Sequence, residues 1–226
     1  MKLSVIIPVY NEKDYILKII EKVKSVPLDK EIIVVDDMST DGTREILRDL
    51  KDDVVKVRFH DKNVGKAGAI KTGQKFVTGD VVVIQDADLE YDPNDLLKLI
   101  KPIVEGKSIA CYGNRFTKQN IKKLTFLQFL GNMIMTFSTS FFLGQRIEDM
   151  ETCYKMVRSD YFKKIEITSK GFGIDPEITM KLKRMGVKIK EIPINYYPRS
   201  YKEGKKIRIK DAIRTFYTIL KIGFLN

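Results

Sequence analysis

Val81-Val82-Val83-Ile84-Gln85-Asp86-Ala87-Asp88 is a β-branched apolar run that ends in two carboxylates. On an extended chain alternate side chains point the same way, so Asp86 and Asp88 can face one site. Four similar runs occur at Leu3–Pro8, Glu31–Val35, Val54–Phe59 and Ser108–Tyr112. Between them lie helical patterns near 13–24, 42–51, 66–77 and 94–104, the first marked by Ile16, Ile19, Ile20 and Val23. Thr40 or Asp41 can cap the second helix, and Asp92-Pro93 opens the fourth. Continuous Ile/Val strands alternating with helices predict an α/β fold, a mostly parallel sheet flanked by helices. Ligands of such sheets lie at the carboxyl ends of the strands. Three of those ends carry polar clusters: Pro8-Val9-Tyr10-Asn11-Glu12, Asp36-Asp37 and Gln85–Asp88.

The whole chain has 226 residues, enough for one domain with a substantial core. Its opening, Met1 to Glu12, holds only a short apolar run that reads straight into a polar turn, unlike a signal peptide. Cys111 and Cys153 sit in apolar stretches and make no disulfide framework, so buried thiols in a reducing cytoplasm are expected. The net charge is +11, and residues 181–226 hold thirteen Lys or Arg against Glu191, Glu203 and Asp211. Such a tail suits an anionic partner, whether membrane surface, phosphate or nucleic acid, or it is simply a solvated basic face.

Residues 124–145 carry no charge and are rich in Phe, Leu and Met. The length would allow a membrane span, but Gln128, Asn132 and several Ser and Thr interrupt it. Phe126, Leu130, Ile134, Phe137 and Phe141 follow helical spacing, which predicts an amphipathic or buried helix. Ile209, Ile213, Phe216 and Leu220 form a second stripe, with Arg208, Arg214 and Lys221 off it.

Two hard oxygen ligands at a strand end suit Mg²⁺ or Mn²⁺, which keep positions open for substrate phosphates. An acidic loop with a helix cap would carry the same two residues. A carboxylate of Asp36-Asp37 can accept from a base N–H or a ribose hydroxyl. Asn63-Val64-Gly65-Lys66-Ala67-Gly68 opens a helix whose N–H groups and lysine can meet phosphate, though it is neither a P-loop nor a dinucleotide fingerprint. His60, the only histidine, reads as a surface residue, and Glu177 as structural support at a helix start.

Taken in order, Pro8–Glu12, Val35–Thr43, Asn63-x-Gly65-Lys66 and Asp86-Ala87-Asp88 resemble family-2 glycosyltransferases of the GT-A fold. Gly113–Phe116, Asp149–Lys155 and Glu203–Ile207 are similar to later motifs of polyprenyl-phosphate sugar synthases of the dolichol-phosphate mannose synthase type. The resemblance implies one GT-A domain: a nucleotide-sugar half (1–115), an acceptor half (116–200) and a basic amphipathic helical arm (201–226). It implies that Pro8, Tyr10, Glu12 and Asp37 hold the nucleoside. Asp86 would contact ribose or metal, Asp88 would ligate the metal, and Lys66 would lie near the nucleotide. Arg115 would meet an acceptor phosphate and Arg199 would close over the diphosphate. Asp149 is the candidate base if the acceptor is a hydroxyl; a cap or orienting role is the alternative. Glu90 stands where mannose synthases often have Gln, an extra carboxylate near the metal pair, and the C-terminal transmembrane helices of many relatives are not expected.

The reading expected is therefore an inverting hexosyltransferase using a GDP- or UDP-linked sugar, a divalent ion and a polyprenyl phosphate. It would work in the cytoplasm, peripherally at the inner membrane face, with Arg199, Lys202, Lys205, Lys206, Arg208 and Arg214 toward anionic lipid, and as a possible homo-oligomer. A soluble or polysaccharide acceptor is the alternative. A nucleotidyltransferase and a non-catalytic nucleic-acid-binding module are more remote. The module would leave the acidic pair unexplained, so no nucleic-acid partner is expected.

Overall fold

The structure is a computed structural model that describes residues 1–117, 120, 133, 136–137, 140–141, 144–199 and 209–224. Its strands are β1 (Leu3–Val9), β2 (Lys30–Asp36), β3 (Val55–Phe59), β4 (Val81–Ile84), β5 (Ala110–Asn114), β6 (Lys155–Arg158) and β7 (Ile189–Pro193). They form one sheet in the order β3-β2-β1-β4-β6-β5-β7. The pairs β1/β2, β2/β3, β1/β4 and β5/β7 are parallel. β6 runs antiparallel between β4 and β5. The five expected strands are all present, within about two residues at each end. β6 and β7 were not anticipated, because β6 has only Met156 and Val157 between Lys155 and Arg158, and β7 mixes Lys190 and Glu191 with its apolar positions.

β1, β2 and β4 are buried almost throughout, which is why they read as unbroken Ile/Val runs. Each fully buried Val or Ile contributes about 1.5–3 kcal/mol. Helix α1 (Ile16–Ser25) buries Ile16, Ile19, Ile20 and Val23, the predicted stripe. Helix α2 (Thr43–Asp49) starts where Asp41 Oδ1 accepts from the Thr43 N–H at 3.0 Å. Helix α3 (Gly65–Gln74) packs on β1 and β2. Gly73 permits that approach, since a Cβ there would lie 2.6 Å from Ile6 Cγ2. Helix α4 (Leu96–Val104) packs on β5 and β6; a 3₁₀ turn at Pro93–Asp95 leads into it, capped by Asp92 as expected. Both cysteines are buried, and neither is in a disulfide.

Helix α5 (Ile174–Arg184) is followed in space by α6 (Ile209–Phe224), which packs on α5 and on the turn at Gly171–Gly173. Among the described α6 side chains Thr215 and Ile219 are buried, while Phe216 is exposed. Its inward face is thus offset from the expected stripe through Phe216 and Leu220. The docking partner sets this phase: Thr218 meets Gly173 so closely that a Cβ on Gly173 would lie 2.7 Å from Thr218 Oγ1. Most of 124–143 lies outside the described residues, as do Phe126, Leu130, Ile134 and the cations Lys202, Lys205, Lys206 and Arg208; the Arg214 side chain does too. Among the described residues no helix is long and apolar enough to cross a membrane.

Candidate active site

The carboxyl ends of β1, β2 and β4 lie side by side, and their loops are tied together. Asn11, at the turn after β1, has φ 52° and Met38, after β2, has φ 64°, both in the left-handed region. Asn11 Oδ1 accepts from the Thr40 N–H at 2.8 Å, and Thr43 Oγ1 accepts from the Glu12 N–H at 2.9 Å. Non-glycine residues keep such backbone angles only where surrounding bonds hold them. These bonds fix where Tyr10 and Glu12 stand. Pro8 lies within β1, and Tyr10 is 40% exposed at its end.

Asp86 and Asp88 follow β4, and each faces a basic side chain of the chain. Lys66, at the start of α3, places its Nζ 2.7 Å from Asp86 Oδ1. Arg199 reaches Asp88 Oδ2 at 2.8 Å and holds Glu12 through both terminal nitrogens, at 3.0 and 3.2 Å. Its backbone N–H donates to Glu90 Oε1 at 2.8 Å. Glu90 Oε2 accepts from the Tyr196 hydroxyl at 2.7 Å. The extra carboxylate thus anchors the segment that carries Arg199. Burial, then the Asp86 and Glu90 carboxylates, push Asp88 up to about 7. Burial also works against charge on Asp86, but the Lys66 ammonium outweighs it and holds the group below the usual carboxylate range.

Asp37 turns toward the neighbouring loop. Its Oδ1 accepts from the Val64 N–H at 2.9 Å and its Oδ2 from the Gly65 N–H at 2.7 Å. Gly65 has φ 82° and backs onto Gly171, so the loop that delivers Lys66 needs glycine here. His60 is not the surface residue its sequence position suggested. Nδ1 lies 2.8 Å from Asp37 Oδ1 and Nε2 lies 2.8 Å from Thr72 Oγ1, so it braces the same loop.

Arg115 and Asp149 are partners. Arg115 donates from Nε to Asp149 Oδ2 at 2.8 Å and from Nη2 to Oδ1 at 2.7 Å, a bidentate fork. The Arg115 backbone N–H adds a third bond to Oδ2. Asp149 is fully buried, and its own N–H donates to Glu191 Oε1 at 2.8 Å. Among the described residues, the hydrogen bonds to the carboxylate come from Arg115, whose guanidinium they orient. Beside Arg115, Phe116 begins a groove of about 760 Å³ whose wall includes Met133, Phe137, Phe141 and Ile147. Phe137 and Phe141 are 73% and 76% exposed.

Two buried groups escaped sequence reasoning. Lys155, fully buried, donates to the Met150 and Thr152 carbonyls and to Asp175 Oδ1 at 3.0 Å, pinning the 150–153 turn to the start of α5. Glu151 Oε1 is buried with no hydrogen-bond partner among the described residues; burial, then Asp175, push this carboxyl up to about 7. No local spacing signals either, because their partners come from separate segments. Glu177 is the structural support expected: it accepts from Thr168, Ser169 and Lys181.

A family model described as Glycosyl transferase family 2 matches residues 4–166, a span that holds every strand-end cluster above. The chain belongs to glycosyl transferase family 2. Within this family, it is 30% identical over 196 residues to glycosyltransferase AglJ of Haloferax volcanii, covering 86% of this chain and 63% of that protein. It is 32% identical over 229 residues to dolichol-phosphate mannosyltransferase of Pyrococcus furiosus, covering 98% of this chain and 64% of that one. The chain thus spans under two thirds of the length of both relatives. Its family-2 fold superposes on glucosyl-3-phosphoglycerate synthase from Mycobacterium tuberculosis, solved with Mn²⁺ and UDP-glucose. The TM-score is 0.74 at 17% identity, covering 100% of this chain and 80% of that one. The likeness fixes the fold as GT-A.

Proposed function

We propose that this chain is an inverting, metal-dependent hexosyltransferase that uses a GDP- or UDP-linked sugar and a polyprenyl phosphate acceptor at the membrane surface. One observation carries the donor half: Asp86, Asp88, Lys66 and Arg199 share one strand-edge site in a family-2 chain. Two carboxylates and two cations at one edge fit a nucleotide diphosphate with its counter-ion. Among the described residues no group of three or more His, Cys, Asp or Glu could hold a metal. Mg²⁺ and Mn²⁺ bind through one or two carboxylates and complete their shell with phosphates and water. Asp86 and Asp88 would hold the ion, whose charge would neutralise the departing diphosphate. Lys66 and Arg199 are placed to meet the same phosphates, and Pro8, Tyr10, Glu12 and Asp37 to frame the nucleoside.

On the acceptor side, Asp149 orients Arg115, and Arg115 receives an anionic oxygen. A phosphate acceptor is anionic near neutral pH, so no proton needs to be removed and positioning suffices. The apolar groove starting at Phe116, next to Arg115, supports a lipid-borne phosphate. The basic tail supports peripheral attachment at the inner face of a membrane. The test is a transfer screen across UDP- and GDP-sugars with Mn²⁺, with and without a polyprenyl phosphate. Lipid-linked product is expected. Transfer only to soluble acceptors would replace the lipid reading with that of a soluble-acceptor glycosyltransferase.

A further inference from the structure

Each carboxylate of the Asp86/Asp88 pair already faces a cation from within the chain. Lys66 Nζ is 2.7 Å from Asp86 Oδ1. On Asp88 both oxygens are engaged, Oδ1 by the Glu90 N–H at 3.0 Å and Oδ2 by Arg199 Nη2 at 2.8 Å. Arg199 is mostly buried, with Glu12 and Glu90 completing a ring of three carboxylates around it. Yet it is not fully satisfied. Its Nε is buried with no hydrogen-bond partner among the described residues and lies 3.9 Å from Glu90 Oε1, beyond bonding reach.

We propose that Arg199 is a built-in counter-ion that competes with the divalent metal for Asp88 and is transferred to the donor's diphosphate when the donor binds. The identity of the diphosphate rests on the glycosyltransferase reading above. The competition itself rests only on the ion pairs. A divalent ion on Asp88 Oδ2 competes with Arg199 for that oxygen, while Oδ1 already accepts from the Glu90 backbone. Breaking the Arg199–Asp88 contact leaves a buried guanidinium short of one partner, which opposes metal binding. A nucleoside diphosphate reverses that penalty. Its oxygens offer the displaced guanidinium bidentate acceptors and can engage the idle Nε. Metal and diphosphate therefore assist each other: each is worth more when the other is present, and the coupling is reciprocal. Lys66 on Asp86 is arranged for the same exchange, from the start of a helix whose N–H groups favour anions. The consequence for function is that the metal alone binds weakly and the donor arrives as a metal complex. Arg199 then moves from the carboxylates to the leaving group, where cationic charge is needed.

This assigns Arg199 a signature that a plain donor-binding arginine does not have: removing it should improve binding of the metal by itself. Mn²⁺ binding is followed by the loss of free-ion EPR signal, for wild type, Arg199→Gln and Arg199→Lys, without nucleotide and with UDP or GDP. Circular dichroism checks that each variant is folded, and Arg199→Lys keeps a charge at the site should Arg199→Gln fail to fold. In the absence of nucleotide, Arg199→Gln is expected to bind Mn²⁺ about tenfold tighter than wild type, with Arg199→Lys between them. The gain in Mn²⁺ affinity on adding nucleoside diphosphate should shrink by a similar factor. If folded Arg199→Gln or Arg199→Lys binds Mn²⁺ alone no more tightly than wild type, the competition is refuted. If the variants do bind Mn²⁺ more tightly but neither UDP nor GDP binds any form, the competition stands and the glycosyltransferase reading falls.

Discussion

Asp37 shows how one carboxylate serves a site without having to touch a ligand. It satisfies two N–H groups of the loop that carries Lys66, and His60 stands on its other side. Asp37→Asn keeps the size but removes the charge that these N–H groups see. We expect a stability loss of about 1–3 kcal/mol, together with weaker donor binding because Lys66 is displaced. Urea unfolding and donor calorimetry measure the two effects, and a variant with unchanged midpoint and affinity would remove Asp37 from the site. Asp88→Asn acts differently. Arg199 keeps Glu12 and Glu90, so the fold should hold while metal-dependent donor binding is lost. Equal donor affinity in Mn²⁺ for Asp88→Asn and wild type would contradict the metal assignment.

At the scale of elements, α3 and α5 are held by contacts that single changes can probe. α3 lies against β1 only because Gly73 has no Cβ. Gly73→Ala would place a methyl 2.6 Å from Ile6 Cγ2 in the middle of the core. Overpacking of this kind costs about 1–3 kcal/mol, more than the helix gains from alanine. A fall in Tm is expected, and a rise would show that the helix can shift away. α5 is tied to the 168–169 segment through Glu177, which is fully buried. Burial opposes its charge, but Lys181, Ser169 and Thr168 outweigh that and hold it at about 2, against an ordinary 4.5. A depressed folded-state pKa stabilises the protein above about pH 4.5, and that contribution fades as pH falls toward 2. Glu177→Gln should therefore be less stable than wild type at pH 7, with the gap narrowing below pH 4.5 and closing only near pH 2. A gap that is constant across that range would show that charge on Glu177 is not what matters.

For the molecule as a whole, the net charge of +11 and the exposed Phe137 and Phe141 lie on a chain whose proposed acceptor is a lipid phosphate. Arg199 is no longer among the cations available to a membrane, since Glu12, Asp88 and Glu90 hold it. Interfacial binding adds buried apolar area to cationic contacts worth about 1 kcal/mol each near anionic lipid. The chain should float with anionic vesicles at low salt and be released as salt rises. Replacing Lys205 and Lys206 by Glu, or Phe137 and Phe141 by Ser, should each weaken flotation. A chain that stays in solution with anionic vesicles at low salt would favour the soluble-acceptor reading.

The sequence by itself determined the α/β architecture, five of the strands and the three polar strand ends. Those are local matters: periodicity, capping and the run of Ile and Val follow from neighbours along the chain. It also marked Asp86, Asp88, Lys66, Arg115 and Arg199 through their motifs. Only the tertiary structure decided what these residues do to one another. Arg199 lies 187 positions from Glu12 and Asp149 lies 34 from Arg115, separations at which no spacing rule operates. Strand β6 likewise became a strand because β4 and β5 offered it edges on both sides. The inward face of α6 was chosen by the surface it meets at Gly173, not by its own pattern of Phe and Leu. Lys155 stands in the Asp149–Lys155 motif, but its role appears only when Asp175 and two carbonyls close around it. Charge in a buried site is defined by its partners, and partners from distant segments meet only once the sheet has formed.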